Sequence, residues 1–174
     1  MKPPLHGYPN DDYNTPPEAL IPLIPYLDKE WVIWECAAGR NYLVRALLDR
    51  GYMVRFSDPR YGNDFITSPP DYFDCIVTNP PFSLKTEFIK RAIDLGRPFA
   101  FLLPITTLET GKRQEIFREH DIRLILFDSR IDFIKQGINE KGRSWFASAW
   151  FTHGLNLPKE LNFVSIKKLA QQMV

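Results

Sequence analysis

Short apolar runs separated by amphipathic stretches make up most of this chain of 174 residues. Runs rich in β-branched and aromatic side chains favour strands, and apolar residues three and four positions apart favour helices. The apolar runs predict strands at residues 31–35, 52–57, 64–66, 72–78, 98–103, 122–127 and 145–152. The amphipathic stretches predict helices at 16–27, 42–50, 84–95 and 107–119, a long loop at 128–144, and a short helix within 158–174.

The order of these elements predicts the fold class. Strands that alternate with helices form βαβ units and a mostly parallel sheet. We therefore expect one domain, residues 1–174, with a Rossmann-like α/β fold: a seven-stranded sheet with helices on both faces. No helix separates the predicted strands 122–127 and 145–152, so we expect these two to form an antiparallel pair at one edge.

The composition is typical of a folded cytoplasmic protein, with 44% hydrophobic and 14% aromatic residues. No apolar run approaches the roughly 20 residues that span a bilayer, and the N-terminus lacks the apolar stretch of a signal peptide. Cys36 and Cys75 both fall in predicted buried segments, which favours reduced core thiols over a disulfide framework. The three histidines are scattered, so we expect no metal site. The sequence leaves the oligomeric state open.

The net charge of +1 hides a difference between the two halves of the chain. Residues 1–80 carry a net charge of −4, and residues 81–174 carry +5. One polar stretch of the basic half contains Arg130, Lys135, Lys141 and Arg143. Such a stretch forms either an electrostatic surface for phosphate groups or a solvated loop. Charge alone favours the loop.

Polar side chains stand at or just beyond the ends of four predicted strands: Glu35, Asp58, Asp64 and Asn79. In open α/β sheets, ligands bind at the carboxyl ends of the strands. We therefore expect these side chains to share one ligand-binding edge. Each of them alone also fits an ordinary turn.

The turn after the first predicted strand is built mostly of small residues, which let a ligand approach the backbone closely. It is not the dinucleotide-binding motif, because only Gly39 is a glycine. Asn41 is able to take the left-handed conformation where a second glycine would be usual. Asp58 is placed to accept hydrogen bonds from two ribose hydroxyls, and Asp64-Phe65 to bind and cover a base. Together these residues favour a nucleoside cofactor.

Asn79-Pro80-Pro81-Phe82 directly follows an apolar run. Two successive prolines end a strand in a stiff turn, because neither can donate to the sheet. This turn carries an amide and an aromatic ring, which suit a flat molecule with an exocyclic amino group: the amide accepts an N–H bond and the ring stacks on the face. A strand-to-helix turn with an ordinary hydrophobic phenylalanine is the alternative.

These motifs together resemble those of class I S-adenosylmethionine-dependent amino-methyltransferases, the group that contains the DNA adenine-N6 methyltransferases. The tetrapeptide at 79–82 matches the catalytic [DNS]-P-P-[FYW] motif of that group, in the version typical of adenine-N6 enzymes. Cys36, where proline is usual, and Asn41, where glycine is usual, depart from the pattern. The resemblance implies that the catalytic residues are Asn79, Pro80, Pro81 and Phe82. It implies that the cofactor-binding residues are Tyr13, Asn14, Thr15, Pro16, Glu35, Ala37, Gly39, Asn41, Asp58, Asp64, Phe65 and Asn79.

The resemblance also implies a mechanism. S-adenosylmethionine is the expected cofactor and the N6 amino group of adenine in DNA the expected target, flipped out of the duplex. Hydrogen bonds from the amine to the Asn79 oxygen and the Pro80 carbonyl favour a tetrahedral nitrogen, and positioning supplies most of the catalysis. There is no room for a target-recognition domain between residues 65 and 73 or after 153. We therefore expect short or relaxed sequence specificity, with the basic stretch on the nucleic acid backbone.

Three other functions fit parts of the same pattern. An RNA adenine is a live alternative substrate. A protein glutamine is disfavoured, since glutamine methyltransferases usually end the motif in tyrosine and carry a helical N-terminal domain. A noncatalytic methyltransferase-like subunit is the alternative of a different class, although Asn79 and Phe82 are intact.

Overall fold

The computed structural model describes residues 13–62, 64–68, 71–134, 141–143 and 146–172. It describes the backbone alone of residues 61, 141–143, 170 and 172. Its strands are β1 (Val32–Glu35), β2 (Met53–Phe56), β3 (Cys75–Thr78), β4 (Phe99–Pro104), β5 (Ile122–Phe127), β6 (Asp132–Ile134), β7 (Lys141–Arg143), β8 (Ser148–His153) and β9 (Leu161–Val164). Its α-helices are α1 (Tyr42–Leu48), α2 (Lys85–Leu95), α3 (Gly111–Glu119) and α4 (Ile166–Gln172), and 3-10 helices lie at Pro17–Tyr26, Pro59–Tyr61, Phe82–Leu84 and Ile105–Leu108.

Seven of these strands form the central sheet, in the order β2-β1-β3-β4-β8-β5-β9. The pairs β1·β2, β1·β3, β3·β4 and β5·β9 are parallel, and β8 is antiparallel to both β4 and β5. This confirms the predicted fold class, a mostly parallel seven-stranded α/β sheet with an antiparallel strand. The predicted position of that strand was wrong. It lies inside the sheet between β4 and β5, and β9 forms the edge.

The short strand predicted at residues 64–66 is absent, and a turn takes its place. The Asp64 side chain accepts a hydrogen bond from the Ile66 N–H at 3.0 Å, and its carbonyl oxygen accepts from Thr67 and Ser68. An aspartate that binds the backbone two residues on stabilises a turn and competes with strand pairing. The seventh strand of the sheet is instead β9, in the tail for which a helix alone was predicted.

The stretch 128–144, predicted as a loop, contains an antiparallel pair of short strands, β6 and β7. In this pair Phe133 faces Gly142. Ile131 and Phe133 are buried while Asp132 between them is exposed. This alternation over three residues is too short to stand out in the sequence. The pair is attached to the N-terminal segment, since Asn14 forms a β-bridge with Ile134.

Two predicted helix starts also differ. The segment predicted as a helix from Thr15 is a 3-10 helix, Pro17–Tyr26, whose internal Pro22 and Pro25 cannot donate the backbone bonds of an α-helix. It begins without a side-chain cap. The helix predicted from Thr106 begins later: Ile105–Leu108 is a 3-10 helix and α3 starts at Gly111.

Helices cover both faces of the sheet and bury two apolar clusters. The first packs Pro17–Tyr26, α1 and α4 against one face, and the Trp150 indole N–H donates to the Ala19 carbonyl at 2.8 Å across it. The second packs α2 and α3 against the other face. None of the helices in the described ranges is long and apolar enough to cross a bilayer. This packing of helices on both faces leaves the carboxyl ends of the parallel strands uncovered, and the loops that follow these strands gather there.

Candidate functional site

The carboxyl ends of β1, β2 and β3 lie side by side at one edge of the sheet. β2 pairs with one side of β1 and β3 with the other. The strand that follows β1 in sequence and the next one therefore lie on opposite sides of it, which makes β1 a topological switch point. Ligands bind in the crevice at such a switch point in open α/β sheets. Glu35 ends β1 and Thr78 ends β3. Asn79 follows β3 directly, and Asp58 lies two residues after β2. Three of the four side chains that were predicted to share this edge, Glu35, Asp58 and Asn79, thus lie at it. The fourth, Asp64, lies in the turn of residues 64–68.

The turn after β1 places a left-handed residue at the start of α1. Asn41 has φ 64° and ψ 20°, and its N–H donates to the Ala38 carbonyl at 2.7 Å. The predicted left-handed Asn41 is confirmed. The Asn41 side-chain oxygen is buried, and no hydrogen bond to it is formed by the described part of the chain. A buried oxygen of this kind is an acceptor for a ligand that carries an N–H or O–H group.

Glu35 is almost completely buried, with 1% of its surface exposed. Its Oε1 accepts hydrogen bonds from the Ala37 N–H at 2.9 Å and from the Thr78 hydroxyl. Burial raises the pKa of Glu35 from 4.5 to about 7, although both hydrogen bonds lower it; Asp58 nearby raises it further. The sequence analysis missed Thr78, whose β-branched side chain in an apolar run looks like an ordinary strand residue.

Asp58 is held by the turn around it. Its carboxylate accepts from the Gly39 N–H at 2.9 Å and the Arg60 N–H at 2.9 Å, and from the Arg60 side chain through Nε at 2.7 Å and Nη2 at 3.0 Å. Burial alone would raise the pKa of Asp58, but the hydrogen bonds from Arg60 and Gly39 outweigh it and hold the pKa below its ordinary value. Arg60 was also missed, although Asp-x-Arg at a strand end is a visible spacing.

The N-terminal segment crosses the site between the turn after β1 and the tetrapeptide. A Cβ on Gly39 would lie 3.7 Å from the Asn14 side-chain oxygen, so Asn14 faces the turn after β1. The Asn14 amide also donates to the Ile134 carbonyl at 3.1 Å. Tyr13 instead contacts the tetrapeptide, at Asn79 and Phe82. Thr15 and Pro16, the other two predicted residues of this segment, are buried.

Asn79 has one half of its amide occupied and the other unpaired. Its Nδ2 donates to the Tyr13 carbonyl at 2.7 Å. Its Oδ1 is buried and has no hydrogen-bond partner among the described residues. The orientation of the amide follows from chemistry, because a carbonyl oxygen can only accept, so the nitrogen must face Tyr13. The site therefore presents a buried, fixed acceptor.

Phe82 belongs to a cluster of four rings. Tyr13 stacks on it at a centroid distance of 5.4 Å and an interplanar angle of 23°. Phe133 and Phe146 meet both of these rings edge-on, at centroid distances from 5.4 to 6.4 Å. Phe82 itself is half-buried. The sequence analysis did not assign Phe133 or Phe146 to the site, because their contacts depend on the position of β6.

The other predicted residues lie in different surroundings. Pro80 is buried, and Pro81 starts the 3-10 helix Phe82–Leu84 by accepting from the Leu84 N–H. Phe65 is fully buried between Trp34, Phe88 and Phe101, so its ring has no exposed face with which to cover a base. Arg130 is exposed beyond β5. Lys135 and the side chains of Lys141 and Arg143 lie outside the described residues.

No metal centre is found where the structure describes the chain: the histidine, cysteine, aspartate and glutamate side chains there form no group of three able to hold an ion. The acidic groups at the strand ends are engaged by hydrogen bonds instead. What the site offers a ligand is one buried amide acceptor at Asn41, a second at Asn79, and a half-buried aromatic ring.

Comparison with protein-family models and with curated protein sequences gives no match. Comparison with solved structures does. A protein of Listeria monocytogenes assigned as a class I S-adenosylmethionine-dependent methyltransferase aligns with 97% of this chain and 70% of its own, at 14% identity and a TM-score of 0.58. The fold is that of the class I methyltransferases.

Two further solved structures share this methyltransferase fold. One is a protein of Pyrococcus horikoshii assigned as an RNA methyltransferase, at 14% identity and a TM-score of 0.52; the alignment covers 86% of this chain and 91% of the other. The second is assigned as the modification subunit of a type I restriction enzyme of Vibrio vulnificus, at 15% identity and a TM-score of 0.50. That alignment covers 83% of this chain and 44% of the other. At identities of 14–15%, these likenesses show a shared fold alone.

The chemistry of the site fits S-adenosylmethionine, the cofactor in the description of the Listeria protein. The Asn41 oxygen is a buried acceptor of the type that the amino group of its methionine part requires. Gly39 lies in the turn with φ 53°, and a side chain there would be strained. Asp58 holds its negative charge well below neutral pH and stands at the end of β2, beside that turn. The residues present are thus compatible with the cofactor.

Proposed function

We propose that the protein is an S-adenosylmethionine-dependent methyltransferase that acts on the N6 amino group of adenine in DNA, with short or relaxed sequence specificity. The observation that carries the proposal is the buried Oδ1 of Asn79, for which the described part of the chain offers no hydrogen-bond partner. Its orientation is fixed by the bond from Nδ2 to the Tyr13 carbonyl. A buried acceptor without a partner costs about 1–3 kcal/mol. A substrate that brings an N–H group to it recovers that cost.

The proposed chemistry follows from what the chain's own groups do. S-adenosylmethionine, when bound, supplies a methyl group on a positively charged sulfur. Asn79 accepts one N–H of the adenine amine, and the Pro80 carbonyl accepts the other, so that the nitrogen becomes tetrahedral and its lone pair is localised. Phe82 supplies an aromatic surface for the base. The nitrogen would form its new bond to the methyl carbon as the bond from that carbon to sulfur breaks, and the positively charged nitrogen that results would lose its proton to water. No strong general base is required, and the chain contributes orientation and hydrogen bonding.

In this proposal the cofactor lies against the turn after β1. Gly39 and Ala37 allow its close approach, Asn41 and Glu35 serve its methionine part, and Asp58 accepts from its ribose. Asn14, Thr15 and Pro16 cover it from the N-terminal segment, with Asn14 facing Gly39. Of the pair Asp64-Phe65, only Asp64 contributes to binding the base in this proposal, because the ring of Phe65 is fully buried.

The pair β6·β7 is the proposed contact with the nucleic acid backbone. Ile134 of β6 is bonded to Asn14, and the neighbouring Tyr13 holds Asn79, so these strands are tied to the proposed catalytic residue. Arg130 precedes β6, Lys135 follows it, and Lys141 and Arg143 belong to β7. Phosphate contacts position a protein and carry no sequence information, which favours relaxed specificity.

RNA is the second candidate substrate, and a specific observation favours it. The Pyrococcus protein assigned as an RNA methyltransferase is spanned almost completely by the alignment, whereas the restriction subunit is spanned by less than half. A noncatalytic subunit is the third candidate; it would keep the fold while showing no transfer to any substrate.

Transfer of a tritiated methyl group decides between these functions. We would supply labelled S-adenosylmethionine with DNA, RNA and total protein, and identify the labelled product by hydrolysis and chromatography. N6-methyladenine from DNA is the expected product. Label confined to RNA supports the second candidate, and cofactor binding without transfer supports the third. Failure to bind the cofactor at all contradicts the methyltransferase itself.

The variant Asn79→Ala tests the residue that carries the proposal. It should reduce transfer by at least a hundredfold while cofactor affinity stays within about twofold, because the side chain serves the target amine. Asn162→Ala is the matched control. Asn162 is also a buried asparagine whose amide donates to carbonyls, those of Leu124 and Lys159, but it lies in β9 at the far edge of the sheet. Near-normal turnover of Asn79→Ala would refute the mechanism.

A further inference from the structure

The acceptor positions of Asp58 are fully used. Oδ1 accepts from the backbone N–H and Nε of Arg60, and Oδ2 accepts from Nη2 of Arg60 and the N–H of Gly39. A carboxylate offers about four lone-pair sites, so these four bonds saturate it. Asp58 has only 5% of its surface exposed, which leaves no open side from which two ribose hydroxyls can add. A ribose that binds Asp58 must therefore replace existing partners.

The two kinds of partner differ in how easily they can leave. Gly39 donates from the tight turn after β1, and the Arg60 N–H donates from the first turn of the 3-10 helix Pro59–Tyr61, for which Asp58 is the N-cap. Both are fixed by the backbone. The Arg60 guanidinium stands on a flexible chain with 44% of its surface exposed. It is the partner that can move into solvent without disturbing either turn.

The guanidinium also lies over the proposed cofactor turn. A Cβ on Gly39 would lie 3.8 Å from Nη2 of Arg60 and 3.8 Å from the Ala37 carbonyl. Its two N–H donors occupy the positions that the two hydroxyl donors of a ribose need. The ribose therefore offers as many donors as the guanidinium, at the same positions. Two N–H groups of Arg60 would leave Asp58 and two O–H groups of the ribose would replace them.

We propose that Arg60 is a built-in competitor for the ribose position on Asp58, and that the vicinal diol of the nucleoside displaces its guanidinium. This rests on the proposed function in one respect, that the ligand of this edge is a nucleoside cofactor. The contribution of Asp58 to the free energy of cofactor binding is then the free energy of its new bonds to the ribose minus that of the Arg60–Asp58 ion pair. Weakening that pair strengthens binding, which is the opposite of what a residue that holds the ligand would show.

The test is the affinity for adenosine and for S-adenosylhomocysteine, measured by calorimetry on the wild-type protein, Arg60→Gln and Arg55→Gln. Arg55 is an exposed arginine of β2, so its variant makes the same change of charge without touching Asp58. Arg60→Gln should bind both nucleosides on the order of threefold to tenfold more tightly, the range for a partly exposed, hydrogen-bonded ion pair. Adenine, which lacks the ribose, should bind all three proteins equally.

A second measurement follows adenosine binding as the salt concentration is raised. Salt weakens a partly exposed ion pair, while adenosine is neutral and its own bonds respond little to ionic strength. The wild-type protein should therefore bind adenosine more tightly as salt is raised, and Arg60→Gln should not. Unchanged or weaker adenosine binding by Arg60→Gln, together with a flat salt response of the wild type, overturns the competition alone. Absence of nucleoside binding in all three proteins overturns it together with the proposed cofactor.

Discussion

Thr78 donates a hydrogen bond to Oε1 of Glu35, and so joins the last residues of two adjacent strands, β3 and β1. The same oxygen accepts from the N–H of Ala37, at the start of the turn that precedes α1. Asn79 follows Thr78 directly. A single buried carboxyl group thereby connects the proposed cofactor turn to the strand end that precedes the proposed catalytic residue.

Replacing Thr78 should destabilise the protein through this bond. Thr78→Val keeps the shape of the side chain and removes the hydroxyl donor, so one of the two bonds to the buried Glu35 oxygen is lost. We expect a decrease of about 1–3 kcal/mol in the free energy of unfolding, measured by urea denaturation. Thr78→Ser keeps the donor and should lose less. Equal losses in the two variants would show that the methyl group matters and the bond does not.

The raised pKa of Glu35 predicts a pH dependence of stability. The group binds protons more tightly when folded, with a pKa of about 7 against 4.5, so its contribution is fully present below pH 4.5 and is lost as the pH rises to 7. The size is roughly 3 kcal/mol, since each pKa unit corresponds to about 1.4 kcal/mol. Asp58, whose pKa is lowered, loses its contribution only at more acidic pH.

Glu35→Gln is the variant that tests this dependence of the free energy of unfolding on pH. Glutamine resembles the protonated acid and does not titrate, so the stability of the wild type relative to Glu35→Gln should fall between pH 4.5 and 7 and level off above it. Urea denaturation at half-unit steps of pH measures the difference. A difference that stays constant over this range would place the pKa of folded Glu35 near its ordinary value.

Removal of the Asp58 carboxylate should weaken cofactor binding. Asp58→Ala loses hydrogen bonds between a charged group and the ribose, which are worth about 1–3 kcal/mol, or roughly fivefold to 150-fold in affinity. If the ribose has to displace Arg60 from Asp58, the measured loss lies at the lower end of this range. Calorimetric titration with S-adenosylhomocysteine measures the loss. Asp74→Ala is a useful control, since Asp74 also binds a backbone N–H near the sheet, that of Val32, but lies before β3. Unchanged affinity in Asp58→Ala would remove Asp58 from the site.

Replacing Phe82 should lower the rate of methyl transfer and change the affinity for the cofactor little. Phe82→Leu keeps an apolar side chain but removes the aromatic face proposed for the base, so we expect at least a tenfold decrease in kcat/KM, with cofactor affinity within about twofold. Phe82→Tyr keeps the ring and should retain most activity. Because Phe82 packs on Tyr13, thermal melting of each variant must accompany the kinetics. Full activity in Phe82→Leu would mean that no stacking contributes.

The basic residues of β7 should contribute to nucleic acid affinity. Lys141→Gln combined with Arg143→Gln should weaken DNA binding at every sequence and reduce the slope of log affinity against log salt by about 2, one for each lost phosphate contact. Cofactor affinity should not change. Lys167→Gln with Lys168→Gln, on the exposed surface of α4, makes the same change of charge elsewhere. Equal effects of the two double variants would indicate a response to net charge only.

The sequence predicted most of the sheet because its inner strands are continuous apolar runs. The predicted strand 122–127 coincides with β5 (Ile122–Phe127), and β1 differs by one residue at its start. β9 escaped prediction because its pattern is inverted. Asn162 is buried, where it donates to the Leu124 and Lys159 carbonyls, while Phe163 is 79% exposed. Hydrophobic periodicity assigns such a strand to the wrong face or to no strand at all.

The candidate site was predictable where a single residue decides the local backbone, and not where two distant segments meet. The left-handed conformation of Asn41 follows from its position beside a helix start. The bond between Thr78 and Glu35 joins residues 43 positions apart, and the contact of Tyr13 with Asn79 spans 66 positions. Such pairs depend on strand order, which local sequence patterns do not specify.

The place of β8 between β4 and β5 has a consequence for how the chain is made. β8 pairs with β4 from Phe99–His153 to Pro104–Ser148, and with β5 along its other side. A nascent chain emerges from its N-terminus, so both facing edges remain unpaired until residues 148–153 leave the ribosome. Unpaired edges are templates for intermolecular pairing. Translation products that stop before Ser148 should therefore aggregate, whereas those that extend past β9 can close the sheet.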